Sequence, residues 1–492
     1  MSARPTTAVA VGIDVGTQGV RCLAATAAGE VVAHASRRFS SVALPNLPEG
    51  WFEQEPETWW QGVRTCLTEV RGALDRALPG GWMAAGVAVD STSGTVVLAD
   101  AAGRPIRPAV MYNDRRASAE ADEANAAAGE WLDEAGCRFN SSFALPRLLW
   151  LRRNEPAAWD RAALVMHAAD WVVARLGGEP GVTDQSNALK TGCDLRSLTW
   201  PDFIVSVLGI EERRLPRIAL SGDVIGRVTE QAARQTGLPA GTPIAAGMTD
   251  GCADQVSSGA SREGDWNTVL GSTLVLKGMT LDLLRDPLGR VYCHRHPMGL
   301  WMPGGASNAG ARVLDARFAG ADRAALEAAA EALAPTGARV YPLLSPGERF
   351  PFVCAAAAGF EEACGPGEPA RYAAYLEGIA YTERLAYEVV EGLGAPVREP
   401  IYSTGGGSSS DVWTRIRASV LGRSLCRAPG ACAALGSAIV AASRTLFADL
   451  GQATAAMAGA GEPVSPDRAL AARFDDAYGL WLQTLRRRSW LT

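Results

Sequence analysis

The segment VGIDVGTQGVR at 11–21 constrains this chain more than any other. Residues 7–15 run apolar into a Gly-rich turn, residues 21–26 resume as a strand, Gly29 turns, and Val31–Ala35 returns beside it. Connections this short predict strand–turn–strand pairing, with no long helix after the first strand. Two common nucleotide folds are set aside on that ground. A Walker loop needs GxxxxGK[ST] leading into a helix, whereas this chain has GIDVGTQG and no convincing GxGxxG fingerprint.

Beyond the turn, Trp60, Val63, Leu67, Val70 and Leu74 recur at spacings of three and four, which predicts a helix over 56–77. GVAVDSTSG at 86–94 reads as a strand ending in a polar turn, and VVLAD at 96–100 as the next strand. Helices are expected at 117–130, 145–155 and 167–176, and a polar, site-like segment at 180–193. A short strand at 224–228 precedes a helix from about 230, and TPIAAGMTD at 242–250 reads as a buried strand opening into a loop or helix start. The apolar pattern breaks near 258–266, and strands follow at 267–278 and 291–302, with a helix at 307–318. A long helix over 371–393, a strand Ile401–Thr404 running into GGGSSS, a helix through Trp413, Ile416 and Val420, and a packing helix over 467–489 complete the reading. The architecture expected is two related α/β domains around a cleft, spanning 1–258 and 259–492.

Composition narrows the function classes. The 492 residues suffice for two substantial cores, and 53 acidic against 47 basic residues give a net charge of −6, so no positive field draws nucleic acid. Ten cysteines without a CxxC pair, among them Cys252 and Cys432 beside small apolar residues, read as buried thiols of a reducing compartment. His294 and His296 have no nearby Cys or acidic ligand and read as a turn or strand surface. No signal pattern opens the chain, and the small apolar stretch at 433–442 falls short of a membrane span, so a cytoplasmic, non-membrane protein is expected. Trp59, Trp60 and Trp150 lie in helical patterns and are expected in cores or at snorkelled surfaces.

Three further Gly/Ser/Thr or acid-bearing segments partner the first turn: AGMTDGCADQ at 246–255, VLGSTLVLK at 269–277 and STGGGSSSDVW at 403–413. Together they point to a nucleotide-dependent kinase. Transfer of a phosphoryl group to an alcohol requires an oriented hydroxyl, charge neutralisation at the phosphate, and exclusion of water. Asp250 is the candidate general base, with helix capping as its alternative. Asp14 can hold hydrated Mg²⁺ beside the phosphates, or brace the turn through backbone hydrogen bonds. Gly16, Thr17 and Gln18 are placed to approach a γ-phosphate, with Arg21 near in sequence. Gly271, Ser272 and Thr273 form a second phosphate turn, and Gly405, Gly406, Gly407 and Ser408 an adenosine-side loop. Gly305 and Asn308 are candidates for the same nucleotide half.

Ser93, Asp114 and Asp250, with Asp14 beside them, carry the short acidic or hydroxyl side chains that could hold an acceptor with several hydroxyls. Arg115 or Arg116 is the alternative partner of Asp114. Asn187 and Lys190 are further cleft candidates, a solvated lysine being the simpler expectation for the latter.

In order and spacing, GIDVGTQGVR at 12–21, MYNDRR at 111–116, TDQSNALKTG at 183–192, AGMTDGCADQ, GST at 271–273, GGASNAGARVL at 304–314 and GGGSSSDVW at 405–413 resemble the FGGY carbohydrate kinases. The resemblance covers nearly the whole chain. It implies two actin-like (ribonuclease H-like) domains flanking a nucleotide- and sugar-binding cleft, the N-terminal one mainly for sugar and the C-terminal one mainly for nucleotide. It further implies ATP and Mg²⁺ as cofactors, Asp250 as base, and a monomer or homodimer. DSTSGTVVLAD at 90–100 followed by MYNDRR looks most like the D-ribulose kinases, which give D-ribulose 5-phosphate. The Met-His pair of xylulokinases and the Arg-Glu pair of glycerol kinases are both absent from the Ser91–Ser93 segment. D-xylulose or a polyol is the alternative substrate, and a non-catalytic actin-like ATP-binding protein the alternative function.

Overall fold

The computed structural model describes residues 6–461 and 463–491. The chain divides into two compact units, neither continuous in sequence. Unit 1 comprises 1–257, 294–300 and 432–458; unit 2 comprises 258–293, 301–431 and 459–492.

Unit 1 is built on a six-stranded sheet. Its strand order is Val224–Arg227, Pro243–Thr249, Trp82–Ser91, Thr7–Gly16, Gly19–Thr26 and Val31–Arg38. The Thr7–Gly16 strand turns through Thr17 and Gln18 and pairs antiparallel with Gly19–Thr26, which pairs antiparallel with Val31–Arg38. On its other side it pairs parallel with Trp82–Ser91, which in turn pairs parallel with Pro243–Thr249. The expected hairpin and its return strand are therefore present.

The helix Pro56–Ala77 covers one face, burying Trp59, Trp60, Val63, Cys66, Leu67, Val70 and Leu74, as its three–four spacing requires. The helix Ala433–Ala442, AALGSAIVAA, is buried along its whole length and packs against the Thr7–Gly16 and Trp82–Ser91 strands. Small residues make this approach possible. A Cβ at Gly12 would stand 1.8 Å from Ala434 O, and one at Gly436 would stand 1.9 Å from Ala253 O. The stretch too short to span a membrane is thus a core helix, and no described helix is long and apolar enough to cross a membrane.

Unit 2 repeats the strand arrangement. Within a seven-stranded sheet, its own strands follow the order Trp301–Ala306, Leu274–Gly278, Trp266–Leu270, Ile401–Thr404, Leu425–Arg427 and Pro463–Val464. Trp266–Leu270 pairs antiparallel with Leu274–Gly278 and parallel with Ile401–Thr404, and the latter pairs parallel with Leu425–Arg427. The helix Glu368–Gly392 buries residues on every face. Its Glu383 forms a bidentate pair with Arg417 at 2.7 Å on both arms, fully buried and tied to Ser403 Oγ at 2.8 Å.

Some local expectations are corrected. The helix expected at 307–318 spans only Arg312–Arg317. The residues before it are held otherwise: Ser307 N and Ala309 O bond Leu274, and Asn308 N donates to Glu348 Oε1. His294 and His296 are buried, not on a surface, and burial pushes His296 down to about 4. All ten cysteines are free; Cys252 is buried as expected, while Cys432 is half-buried.

Candidate functional site

Three adjacent parallel strands of unit 1, Thr7–Gly16, Trp82–Ser91 and Pro243–Thr249, carry acids at their carboxyl ends: Asp14, Asp90 and Asp250. Asp14 stands opposite Asp90 in register, and Ser91 opposite Thr249, the residue before Asp250. Open α/β sheets bind ligands at this edge, because strand ends release the chain into loops and helix starts.

Asp14 and Asp90 stand side by side in register and act on each other electrostatically, and Asp90 Oδ1 is buried without a hydrogen-bond partner among the described residues. Burial raises the Asp14 carboxyl, opposed by Arg21, whose NH1 lies 3.7 Å away, and by the neighbouring Asp90. Asp90 is fully buried and lies well above the ordinary carboxylate range. Desolvation is the main cause, followed by the charge of Asp14, with Asp250 and Asp254 adding to it and Ser437 opposing it. Ser437 Oγ, on the Ala433–Ala442 helix, donates to Asp90 Oδ2 at 2.6 Å. Burial and the neighbouring like charge therefore favour the protonated form of Asp90.

Sequence reasoning missed Asp90. It ends an apolar strand, GVAVD, and read as the start of a polar turn. The available signal was its place one strand over from Asp14 at an equivalent level, and that requires the strand register.

Asp250 opens the helix Asp250–Ser257, and its Oδ1 accepts from the Gly251 amide at 2.7 Å. Ser93 sits half-buried in the turn after Trp82–Ser91. That turn is held by Arg147, which is fully buried and donates to the carbonyls of Gly94 (2.8 Å), Tyr112 (2.5 Å) and Asp114 (3.2 Å). In sequence Arg147 looked like an ordinary charge on the 145–155 helix; only the fold shows that it ties the Ser93 turn to the Asp114 loop.

Asp114 has both carboxylate oxygens engaged. Oδ1 accepts from Arg116 N and Nε, both at 2.9 Å, while Oδ2 accepts from Arg116 NH2 and the Phe52 amide, both at 2.7 Å. Of the two alternatives for this acid, the structure displays the Arg116 lock. Lys190 is buried, contrary to the expectation of a solvated lysine; its Nζ donates to Ser142 Oγ at 3.2 Å over the Phe143 ring. Asn187 is fully buried, with Nδ2 donating to Asp184 Oδ2 at 2.7 Å.

The Gly16–Gly19 turn is pinned by Gln54 Nε2 donating to Thr17 O at 2.8 Å and by Phe39 N donating to Gln18 O at 2.9 Å. Gly16 and Thr17 are half-buried and Gln18 is exposed. The hairpin therefore presents its tip.

In unit 2 the parallel strands Trp266–Leu270 and Ile401–Thr404 release two turns side by side, because Val269 pairs with Thr404. Gly405 has a positive φ of 84°, and a Cβ there would stand 2.7 Å from Leu270 O; only glycine lets the two turns meet. Between these turns and the helices Arg312–Arg317 and Arg323–Leu333 lies a cavity of about 430 Å³. Gly271, Ser272, Gly406 and Gly407 line it with Ser410, Glu327 and Trp413. Glu327 accepts from Ser410 Oγ at 2.7 Å. A cavity of this size matches small-molecule and nucleoside sites in general.

Other candidates for this half do not line it. Thr273, Gly305, Asn308, Gly405 and Ser408 lie outside the lining. Asn308 Nδ2 turns to Gly347 O at 2.9 Å, a Cβ on Gly305 would meet the Phe350 ring, and Ser408 Oγ donates back to Gly405 O at 2.6 Å.

Among the described residues no group of three or more His, Cys, Asp or Glu is arranged to hold a metal ion. The single carboxylate of Asp14 suits a different arrangement, a hydrated hard cation that takes one or two carboxylates and completes its shell with water and phosphate.

Comparison with known proteins identifies two family domains. The N-terminal domain of the FGGY family of carbohydrate kinases matches residues 9–257, and the C-terminal domain of that family matches residues 280–444. The chain is 29% identical over 427 residues to a xylulose kinase of Escherichia coli, covering 84% of this chain and 85% of that protein. It is 32% identical over 293 residues to an autoinducer-2 kinase of Klebsiella pneumoniae, covering 58% of this chain and 54% of that protein. Its fold is similar to the solved xylulose kinase of Rhodospirillum rubrum, with a TM-score of 0.86 at 29% identity, covering 97% of this chain and 98% of the other.

Proposed function

Because the chain belongs to the FGGY family of carbohydrate kinases, we propose that it transfers the γ-phosphoryl group of ATP to a hydroxyl of a ketopentose, D-ribulose, giving D-ribulose 5-phosphate. The observation that carries the proposal is the row of acids at three neighbouring strand ends, with Asp250 at the start of a helix and half-buried. A carboxylate placed there can accept the proton of the attacking hydroxyl.

In this reading residues 1–258 serve mainly the sugar and 259–492 mainly the nucleotide. The repeated strand order of the two units supports the actin-like description of both. Asp250 orients and deprotonates the acceptor hydroxyl, and Ser93 and Asp14 hold neighbouring hydroxyls. Asp114 acts on the sugar side while braced by Arg116. Gly16, Thr17 and Gln18 offer backbone N–H groups and a hydroxyl to the γ-phosphate, and Gly271, Ser272 and Thr273 serve as a second phosphate turn. The cavity beside Gly406, Gly407 and Ser410 accepts the nucleoside, and Gly405 lets the turn that leads into it lie against Leu270. Asp14 holds a hydrated Mg²⁺, which when bound neutralises charge on the transferring phosphoryl group. Water exclusion falls to the loops around Arg147, which fixes the turns bearing Ser93 and Asp114.

The choice of D-ribulose rests on the Ser91–Ser93 segment and its lack of the Met-His and Arg-Glu pairs. Similarity to xylulose kinases favours D-xylulose as the second reading. A non-catalytic ATP-binding role would leave Asp250 only its place at the start of a helix, where it accepts the Gly251 amide. The test is Asp250→Ala. Phosphosugar formation is expected to fall by roughly 10²–10⁴-fold while ATP affinity stays within a few-fold of wild type. Normal turnover by this variant removes Asp250 from the role of base.

A further inference from the structure

The Pro243–Thr249 strand ends at the residue before Asp250, and its outer edge is only partly paired. Val224–Arg227 pairs with it as far as Ala245, and Asp223 O then takes the Ala246 amide at 2.8 Å. At the strand's last residue the amide of Thr249 is taken by a side chain: it donates to Ser186 Oγ at 2.8 Å. The Ser186 hydroxyl donates in turn to Asp184 Oδ1 at 2.6 Å. Asp184 Oδ1 also accepts from the amides of Ser186 (2.8 Å) and Asn187 (3.0 Å), and Oδ2 accepts from Asn187 Nδ2 (2.7 Å).

This turn is itself anchored. The strand Val182–Asp184 pairs parallel with Arg217–Ala219, and Gln185 Oε1 accepts from Ser221 N at 2.8 Å. Asp184, Ser186 and Thr249 are each 3% exposed or less, so water does not compete for these bonds. The bond sequence is continuous: a fixed turn holds Asp184, Asp184 orients the Ser186 hydroxyl, and Ser186 fixes the peptide group one residue before Asp250.

We propose that Ser186, oriented by Asp184, is a positioning residue that sets the backbone of Thr249 and thereby the placement of the Asp250 carboxylate; this rests on the reading of Asp250 as base. The hydroxyl is well suited to the position because it must accept from an amide and donate to a carboxylate at once. A strand partner would satisfy the amide equally well, but would also continue past Asp250 and cover it. The strut satisfies the last amide and leaves the strand end open.

The test uses the full chain with three variants, Ser186→Ala, Ser186→Thr and Asp184→Asn. It has one readout that needs no substrate and one that does. Ser186→Ala removes the acceptor, so amide hydrogen exchange in the peptide around 247–252 should quicken by about tenfold or more, while Ser186→Thr keeps near wild-type protection. In phosphoryl transfer, Ser186→Ala should lower kcat by roughly 10–100-fold with ATP affinity unchanged, and Ser186→Thr should restore kcat to within about threefold of wild type. Asp184→Asn should lower kcat in the same direction by less, again with ATP affinity unchanged.

Unchanged exchange at 247–252 in Ser186→Ala overturns the proposal, as does unchanged kcat. Should Ser186→Ala fail to fold, Asp184→Asn with wild-type kcat, or Ser186→Thr without it, overturns the proposal equally. If wild type phosphorylates no sugar, the base reading fails. The exchange result then still decides whether the strut fixes the strand end.

Discussion

At the scale of single residues, the unusual chemistry of unit 1 lies in two acids placed against each other. Asp14 and Asp90 are neighbours in register inside the protein, and the second is wholly shut off from water. Both carboxyls are raised, so the folded chain holds on to protons that the unfolded chain has released. The sign follows directly. The stabilising contribution is complete below the ordinary carboxylate value of 3.8 and is lost as pH rises through the raised folded value. Asp90→Asn keeps an acceptor for Ser437 while removing the charge. We expect it to be more stable than wild type by about 1 kcal/mol or more at pH 8, with the gap closing towards pH 4, in urea melts at the two pH values. A variant less stable than wild type at pH 8 contradicts the reading that burial and the Asp14 charge disfavour an ionised Asp90.

At the scale of elements, the helix Ala433–Ala442 decides how closely unit 1 can pack. Gly436 lets it approach the Asp250–Ser257 helix until backbone meets backbone, and Ser437, the next residue, reaches Asp90. Gly436→Ala puts a methyl group 1.9 Å from Ala253 O, and backbone cannot yield as a flexible side chain can. Such overpacking should cost roughly 2–3 kcal/mol, read as a lower denaturation midpoint; a loss under about 0.5 kcal/mol would show that the two helices separate freely.

This helix also marks where sequence legibility ended. Pro56–Ala77 could be read because Trp60, Val63, Leu67, Val70 and Leu74 face one side and charges the other. Ala433–Ala442 has no polar face to give it a period, since every side of it is buried. The hairpin Thr7–Thr26 was legible from its glycines. The segment 307–311 was misread as helix because Glu348 and Leu274, which capture its backbone, lie distant in sequence.

At the scale of the molecule, two sheets share one strand plan, and in each the residues of interest gather at the carboxyl ends of adjacent parallel strands. The acids and glycine turns could be picked out because they punctuate apolar runs. The residues that hold them could not. Asp90, Arg147, Ser186 and Ser437 look ordinary in sequence, and each acts through a partner that only register or tertiary packing supplies. The same limit bears on substrate choice, for which the Ser91–Ser93 segment is the local clue and Arg147 fixes the turn that follows.

The central claim is that this chain moves a phosphoryl group from ATP to a ketopentose. The most direct measurement incubates it with ATP and Mg²⁺ against D-ribulose, D-xylulose, L-ribulose, ribitol and glycerol, detecting the phosphorylated product itself beside a no-sugar control. The account predicts product with all the marks of turnover on D-ribulose and much less on the others. Preference for D-xylulose would move the substrate and keep the chemistry, whereas ATP binding with no phosphosugar from this or a broader panel would contradict the account.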